Sequence, residues 1–249
     1  MTRPARIGMI VPSSNTCLEP QTGRILEGRE DVTVHSTRIE VTRIALDAGA
    51  NTQFDQRTMV DAARLLRTAE VDVVAWNGTA GSWLGPDHDR EMVRQITDAT
   101  GVPATTSTLA YLDAFERFGL ERVGLVTPYT GDVNRAVVAA WAREGIEVVA
   151  ERHLGLHVNE EFARVAPGEL VPLSLEVAAA DGVQALVYLC TNLYGAPVVE
   201  EVEAAASLPV LDSVAVTLWR CLDMVGAPLL DERWGSLLAL TRRRSPAAR

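Results

Sequence analysis

An internal repeat is the sequence feature that most constrains the fold of this chain. The segment Arg6–Pro12 (RIGMIVP) resembles Arg122–Pro128 (RVGLVTP), and Val71–Thr79 (VDVVAWNGT) aligns with Val183–Thr191 (VQALVYLCT). A third pair, Gly-Val-Pro at 101–103 and Ser-Leu-Pro at 207–209, keeps the same order and nearly the same spacing. Three matches in register predict two similar halves built on one plan.

Short apolar runs rich in β-branched residues alternate with longer amphipathic stretches along the chain. The continuous apolarity of these runs is typical of strands covered on both faces of a parallel sheet. Their alternation with helical periodicity is typical of βαβ units. The predicted strands are Ile7–Val11, Val32–Ser36, Val71–Trp76, Pro103–Thr105, Val123–Thr127, Glu147–Arg152, Ala185–Leu189 and Pro209–Leu211. The predicted helices are Thr58–Ala69, Asp87–Ala99, Ser107–Phe118, Asp132–Arg143, Val171–Ala180, Pro197–Ala206 and Val214–Met224.

We therefore predict the α/β fold class, with two pseudo-symmetric Rossmann-like halves and an active site in the cleft between them. Residues 1–114 together with 209–249 would form the first half, and residues 115–208 the second. The last strand and helix would thus pack back on the first half. Ligands bind beyond the carboxyl ends of parallel strands, where each repeat places a polar turn. Those turns are Ser13–Asn15, Asn77–Thr79, Thr127–Tyr129 and Cys190–Asn192.

Composition and motifs exclude several classes of function. The net charge of −10 argues against nucleic-acid or anionic-membrane partners, and no apolar stretch reaches the roughly 18 residues of a membrane span. The sequence contains no HxH, HExxH, CxxC, GxxxxGK[ST] or GxSxG pattern, so we expect neither a metal, a bound nucleotide nor a hydrolase elbow. Three scattered cysteines and no signal peptide indicate a reducing cytoplasm. The oligomeric state stays open, and a homo-oligomer is compatible with the sequence.

Cys190 is the strongest candidate for a catalytic residue. It ends a buried strand at a polar turn, where a following helix start would favour its thiolate. A small buried side chain is the usual role of a cysteine, but the symmetric partner turn favours a functional role here. Cys221 lies within an apolar helix and is expected in the core. Cys17 is expected either near the cleft or facing the core at a helix start.

Polar residues of the other turns are candidates for binding an acidic substrate. Thr79 and Thr191 are equivalent in the repeat, and a hydroxyl beside a backbone N–H suits a carboxylate. Tyr129 and Asn15 follow two further strand ends and supply neutral donors, although Asn15 is equally well placed to cap a helix.

The motifs carried by these residues resemble the aspartate/glutamate racemase superfamily, in particular its branch of maleate cis-trans isomerases and arylmalonate decarboxylases. The resemblance covers nearly the whole chain. It is carried by Ile7–Thr16 (IGMIVPSSNT), Val73–Gly85 (VVAWNGTAGSWLG), Gly101–Asn134, His157–Val165 (HVNEEFARV) and Val187–Gly195 (VYLCTNLYG).

The resemblance implies two flavodoxin-like halves, no cofactor and one cysteine on each half, on opposite faces of the substrate carbon. By that pattern Cys190 is the cysteine of the second half, and its first-half equivalent falls on Gly78, as the repeat also indicates. Glycine can neither move a proton nor attack a substrate. Arylmalonate decarboxylases resemble this chain in having Gly-Thr at the first position and only the second cysteine.

The hypothesis is decarboxylation of a substituted malonate-type dicarboxylic acid. Thr79, Tyr129 and backbone N–H groups near Ala80 and Thr191 would hold one carboxylate and stabilise the enediolate. Cys190, as a neutral thiol, would protonate the carbanion on one face.

Other residues resemble the isomerase pattern, and further hypotheses therefore stay open. An isomerase or racemase of a small dicarboxylic or amino dicarboxylic acid is the main alternative, with water or Cys17 replacing the missing thiol. A non-catalytic small-acid binding protein is the second alternative. The residues that favour a more polar substrate are Asn15 and Asn192, with Ser14, Asn159 and Phe162 as further candidates for the pocket.

The resemblance, together with the repeat, predicts that Gly78→Cys introduces racemase activity, because the new thiol would oppose Cys190 across the substrate. The measurement is the loss of optical purity of a chiral product incubated with the variant. A folded variant without any racemisation would contradict this placement of the two positions.

Overall fold

The computed structural model describes residues 3–46 and 52–240, and eight strands lie within them. All eight predicted strands are present, and their ends differ from the prediction by at most three residues. The strands are β1 Ala5–Pro12, β2 Val32–Ile39, β3 Val73–Trp76, β4 Ala104–Thr106, β5 Arg122–Thr127, β6 Glu147–His153, β7 Ala185–Tyr188 and β8 Val210–Asp212.

The helices of the described residues include the seven that the sequence predicts and three short ones that it does not. The three additional helices are α1, α3 and α7, which are too short or too polar to show a clear helical period. The helices are α1 Leu18–Ile25, α2 Gln56–Arg67, α3 Gly81–Leu84, α4 Pro86–Thr100, α5 Ser107–Phe118, α6 Gly131–Arg143, α7 Asn159–Phe162, α8 Pro167–Ala178, α9 Val199–Ala206 and α10 Ser213–Val225.

The strands form two four-stranded parallel sheets with the same order. The first sheet runs β2-β1-β3-β4 and the second runs β6-β5-β7-β8. Both have the doubly wound order of flavodoxin-like folds. Every residue of the inner strands β3 and β7 is buried, whereas the edge strands β2 and β6 are partly exposed. The predicted α/β class with two similar parallel sheets is confirmed.

The expected return of residues 209 onward to the first half is wrong for strand β8. This strand pairs with β7 as the edge of the second sheet, with Leu186 opposite Val210 and Tyr188 opposite Asp212. The short crossover through α9 is the physical reason, because such a connection places the next parallel strand beside the preceding one. Helix α10 does cross over and contacts α1, β3 and β4, and the carbonyls of Pro228 and Leu229 after it accept hydrogen bonds from Arg29 of the first half. Residues 241–249 lie outside the described residues, and the limits of the two domains stay a prediction.

Helices α5 and α10 occupy equivalent places in the two halves and are stabilised in the same way. The side chain of Thr106 accepts a hydrogen bond from the N–H of Leu109 at the start of α5, and Asp212 accepts from the first N–H groups of α10. Both helices end on a glycine in the left-handed conformation, Gly119 and Gly226. The two helices pack against each other and so join the halves.

Tyr111 on α5 fastens the first half to the second. Its buried hydroxyl donates to the carbonyl of Tyr188, at 2.7 Å, and lies 2.9 Å from Oγ of Ser213. Its ring packs with Phe115 and with Trp141 of the second half, at centroid distances of 5.9 and 6.0 Å. This contact anchors the end of β7, where Cys190 follows.

We expect Tyr111→Phe to lower the free energy of unfolding by about 1 kcal/mol, the usual net value of one buried hydrogen bond. The loss stays small because the hydroxyl of Ser213 also donates to the carbonyl of Tyr188. Urea unfolding of the variant beside the natural chain measures it. An unchanged midpoint would show that this hydroxyl does not stabilise the contact between halves.

Candidate active site

The polar turns that follow β1, β3, β5 and β7 meet where the two sheets face each other. Several hydrogen bonds join first-half turns to second-half turns, and two of them connect side chains of the predicted turns. The hydroxyls of Thr79 and Tyr129 lie 2.6 Å apart, and Nδ2 of Asn15 donates to Oγ1 of Thr191 at 3.2 Å. All four side chains are buried. The structure therefore brings the predicted turns into one cleft.

Cys190 lies in the turn after β7 and is only 3% exposed. Its sulfur accepts a hydrogen bond from the backbone N–H of Asn192 at 3.3 Å and is hydrogen-bonded to the hydroxyl of Tyr129. Burial raises the pKa of the Cys190 thiol to about 12, although both hydrogen bonds act in the opposite direction. The thiol is therefore neutral at physiological pH. The expected stabilisation of its thiolate by a following helix start is outweighed by burial.

Tyr129 connects the thiol with the first half. Its hydroxyl bonds both Thr79 and Cys190, and burial raises its pKa well above the ordinary value. The ring is held edge-on between Trp83 and Phe162, at centroid distances of 5.3 and 5.6 Å. Tyr129 is therefore a neutral, rigidly held hydroxyl, and Phe162 belongs to its supporting shell.

The amide of Asn192 is engaged with protein groups on both sides. Its Oδ1 accepts hydrogen bonds from the N–H of Thr16 at 2.9 Å and of Cys17 at 3.2 Å. Its Nδ2 donates to the carbonyl of Asn159 at 2.5 Å, and Nδ2 of Asn159 donates to Oγ of Ser14 at 2.8 Å. These bonds hold the turn after β1 against the turn after β7. In this arrangement Asn192 positions the turns, and its predicted role as a donor to substrate stays a prediction.

Asn15 caps helix α1, which is one of the two roles that the sequence allows. Its Oδ1 accepts from the N–H of Leu18 at 2.9 Å. Its Nδ2 meanwhile donates to Thr191, whose hydroxyl donates to the carbonyl of Asn77 at 2.9 Å. A single side chain thus starts a helix of the first half and contacts the turn of the second half that carries Cys190.

Gly78 and Ala80 flank Thr79 in the turn after β3, and both are buried. Ala80 is the N-cap residue of the short helix α3. Their predicted contact with substrate stays a prediction. Gly78 has no side chain that could move a proton.

The two other cysteines are buried, and Cys17 joins these contacts through its backbone N–H, which donates to Asn192. Cys221 is fully buried within α10, as expected. Cys17 is also fully buried, and burial raises the pKa of its thiol, which is hydrogen-bonded to Tyr194. Because Cys17 is buried and its thiol also interacts electrostatically with Cys190, the two alternatives for Cys17 both stay predictions.

Asp212 is a residue of the site that the sequence analysis did not single out. It is fully buried at the end of β8, beside Tyr188, and its Oδ1 accepts from the N–H groups of Val214 and Ala215. Burial raises the pKa of this carboxyl to about 7, and its charge contributes to the raised pKa of Cys190. The sequence carries a weak signal, an aspartate before a helix, but its closeness to Cys190 depends on the pairing of β7 with β8.

Within residues 3–46 and 52–240, no group of three or more His, Cys, Asp or Glu side chains could hold a metal ion. In the same part of the chain, no helix is both long and apolar enough to cross a membrane.

Comparison with known proteins identifies the family. A family model described as arylmalonate decarboxylase matches residues 7–238. The chain belongs to this family. A maleate isomerase of Pseudomonas putida is 30% identical over 227 residues, which cover 85% of this chain and 88% of that protein. An arylmalonate decarboxylase of Bordetella bronchiseptica is 32% identical over 158 residues, covering 63% of this chain and 66% of that protein.

A solved structure supports the same assignment. It is a liganded arylmalonate decarboxylase variant in which one glycine is replaced by cysteine and one cysteine by serine. It matches with a TM-score of 0.83 and 26% identity over 94% of this chain and 98% of that chain. The predicted resemblance is confirmed, and the chain is an enzyme of the decarboxylase or isomerase kind. The alternative of a non-catalytic binding protein is thereby set aside.

The buried position of Cys190 predicts that its thiol stays protonated from pH 6 to pH 10, because its pKa is about 12. The measurement is the ultraviolet difference spectrum between the natural chain and Cys190→Ala over this pH range. No thiolate band is expected in the folded proteins. In denaturant the same difference should titrate near pH 8.5, the ordinary value for cysteine. A band with that midpoint in the folded state would contradict the burial argument.

Proposed function

We propose that this enzyme decarboxylates a substituted malonate-type dicarboxylic acid without a cofactor. The observation that carries the proposal is a single thiol, Cys190, in a cleft whose opposite repeat position is Gly78. One buried neutral thiol can deliver a proton to a carbanion. Two-base racemisation and covalent isomerisation need a second reactive group on the other face.

Binding of the substrate would begin at the contact between the halves. The hydroxyls of Thr79 and Tyr129 bond each other in the resting enzyme, at 2.6 Å. A substrate carboxylate would accept hydrogen bonds from both hydroxyls, together with backbone N–H groups near Ala80 and Thr191. These donors are neutral and already held in place, so they stabilise the charge that builds up as the enediolate forms.

The bond that breaks joins the α-carbon to the second carboxylate. Carbon dioxide leaves, and the bonding electrons stay on the α-carbon and the retained carboxylate as an enediolate. The rings of Trp83 and Phe162 beside Tyr129 make this part of the cleft apolar. An apolar wall is unfavourable for a carboxylate and acceptable for neutral carbon dioxide, and thus favours the reaction.

Cys190 would then transfer its proton to the α-carbon. Its raised pKa supports this role, because a thiol that is neutral at rest has a proton to give. The hydrogen bonds from Tyr129 and the N–H of Asn192 would stabilise the thiolate that remains. Water would return the proton to sulfur and complete the cycle.

Isomerisation of a maleate-type acid is the second candidate, favoured by the polar contacts among Asn15, Asn159 and Asn192 and by the similarity to maleate isomerases. It is the weaker one. Its covalent route needs a nucleophilic thiolate, whereas burial raises the pKa of the Cys17 thiol and so keeps it protonated. The amide groups of these asparagines are already engaged in holding the turns.

The reaction is tested by incubating the enzyme in deuterated water with a panel of substituted malonates, maleate and amino dicarboxylic acids. We expect release of carbon dioxide with one deuterium placed on the α-carbon for each turnover. Cys190→Ala should lower kcat/KM by about 100-fold or more, the usual contribution of a positioned acid. Cys221→Ala, in the buried helix α10, is the matched control and should retain kcat.

Conversion of maleate to fumarate without carbon dioxide would replace the proposal by the isomerase candidate. Exchange of the α-hydrogen of an amino dicarboxylic acid without decarboxylation would support a racemase instead. Full turnover by Cys190→Ala would remove the cysteine mechanism in each of these classes.

A further inference from the structure

The position opposite Cys190 has no room for a side chain, because the ring of Trp76 already lies there. A Cβ atom added to Gly78 would stand 2.2 Å from Cζ2, 2.4 Å from Cε2 and 2.7 Å from Nε1 of Trp76. Contacts between carbon atoms that are not bonded are favourable only near 3.5 to 4.0 Å. Any residue larger than glycine at position 78 would therefore have to displace the indole.

The backbone itself does not require glycine at this position. Gly78 is not among the residues with positive φ, so an L-amino acid could adopt its conformation. The glycine is thus imposed by the neighbouring ring. In the repeat, Gly78 corresponds to Cys190, which makes the direction of its missing side chain the direction of a first-half thiol.

Trp76 cannot easily move aside. It is the last residue of β3, where it pairs with Ile10 on one side and Thr106 on the other. Its side chain is fully buried and packs on Phe54, with ring centroids 6.4 Å apart. Phe54 in turn contacts Trp83, at 6.0 Å. Moving the indole would require repacking of this aromatic cluster, which is costly in a dense protein interior.

We propose that Trp76 is a specificity-determining residue, which bars a proton donor from the first half and so limits protonation to the face served by Cys190. This inference rests on the proposed decarboxylation, whose planar enediolate can take a proton from either side. With a thiol on one side and an indole filling the opposite position, the enzyme makes a single enantiomer of its product. The position of Trp76 also revises the earlier expectation of racemase activity for Gly78→Cys. This substitution alone cannot place a thiol opposite Cys190, because the indole already fills that space.

The steric part of the proposal is tested by a thermal double-mutant cycle that needs no substrate. Gly78→Ala should lower Tm by about 4 to 10 °C, the range expected for overpacking a domain of this size. The same substitution in a Trp76→Leu background should lower Tm by less than about 2 °C. Gly168→Ala is the matched control, because a Cβ at Gly168 would meet no atom within 4 Å, and it should leave Tm unchanged or raise it.

Two further comparisons can refute the steric role of Trp76 even if the Trp76→Leu variant does not fold. If Trp76→Leu does not fold, Trp76→Phe provides a smaller reduction of the ring, and the comparison of Gly78→Ala with Gly168→Ala needs neither variant. Equal tolerance of alanine at positions 78 and 168 would overturn the proposal. So would an equal loss of Tm from Gly78→Ala in the natural and the reduced backgrounds.

The stereochemical part is tested with the product of the natural enzyme in deuterated water. We expect a single enantiomer from the natural chain, and no racemisation of that product by Gly78→Cys. The double variant Trp76→Leu/Gly78→Cys should exchange the α-hydrogen and erode optical purity. Racemisation by Gly78→Cys at the rate of the double variant would overturn the role of Trp76.

Failure of this inference and failure of the proposed function give different results. Decarboxylation to one enantiomer without coupling between positions 76 and 78 would leave the function standing and refute the role of Trp76. Coupling in Tm without any decarboxylation would keep the steric role of Trp76 and refute the function on which its stereochemical role rests.

Discussion

Hydrogen bonds between neutral side chains hold the two halves together where the sheets face each other, and the rest of the site depends on them. The hydroxyl pair of Thr79 and Tyr129 and the contact of Asn15 with Thr191 each cross from one half to the other. Buried polar groups are tolerated only when they are paired. These pairs therefore define the relative position of the turns, and through them the position of Cys190.

The same burial determines the chemistry available to the cleft. A thiol removed from water keeps its proton, and the hydroxyl of Tyr129 does so as well. Even the buried carboxyl of Asp212 has its pKa raised to about 7. A dicarboxylic acid that enters such a cleft would bring most of the charge with it. Preorganised neutral donors are then most effective, because their interaction with a developing anion is strong where water is excluded.

Much of the architecture could be predicted from the sequence, because hydrophobic periodicity and the repeat are local signals. The inner strands, the long helices and the equivalence of Gly78 with Cys190 all followed from such patterns. The capping of α1 by Asn15 was one of two alternatives, since a residue before a helix can also face a ligand. The placement of β8 was wrong because pairing between strands depends on the length of a crossover, which apolarity does not reveal. The roles of the individual site residues stay predictions.

The sequence by itself determined the α/β class, the two-fold plan, the single cysteine at a strand end and the glycine opposite to it. It did so because each of these is written in the order and spacing of residues. Only the tertiary structure decided which groups meet across the halves and that Asp212 lies opposite Tyr188, at the end of the strand that leads to Cys190. It also showed why position 78 is glycine, since the ring of Trp76 fills the space where a side chain would stand. That reason is one of volume, and occupied volume becomes visible only once the chain has folded.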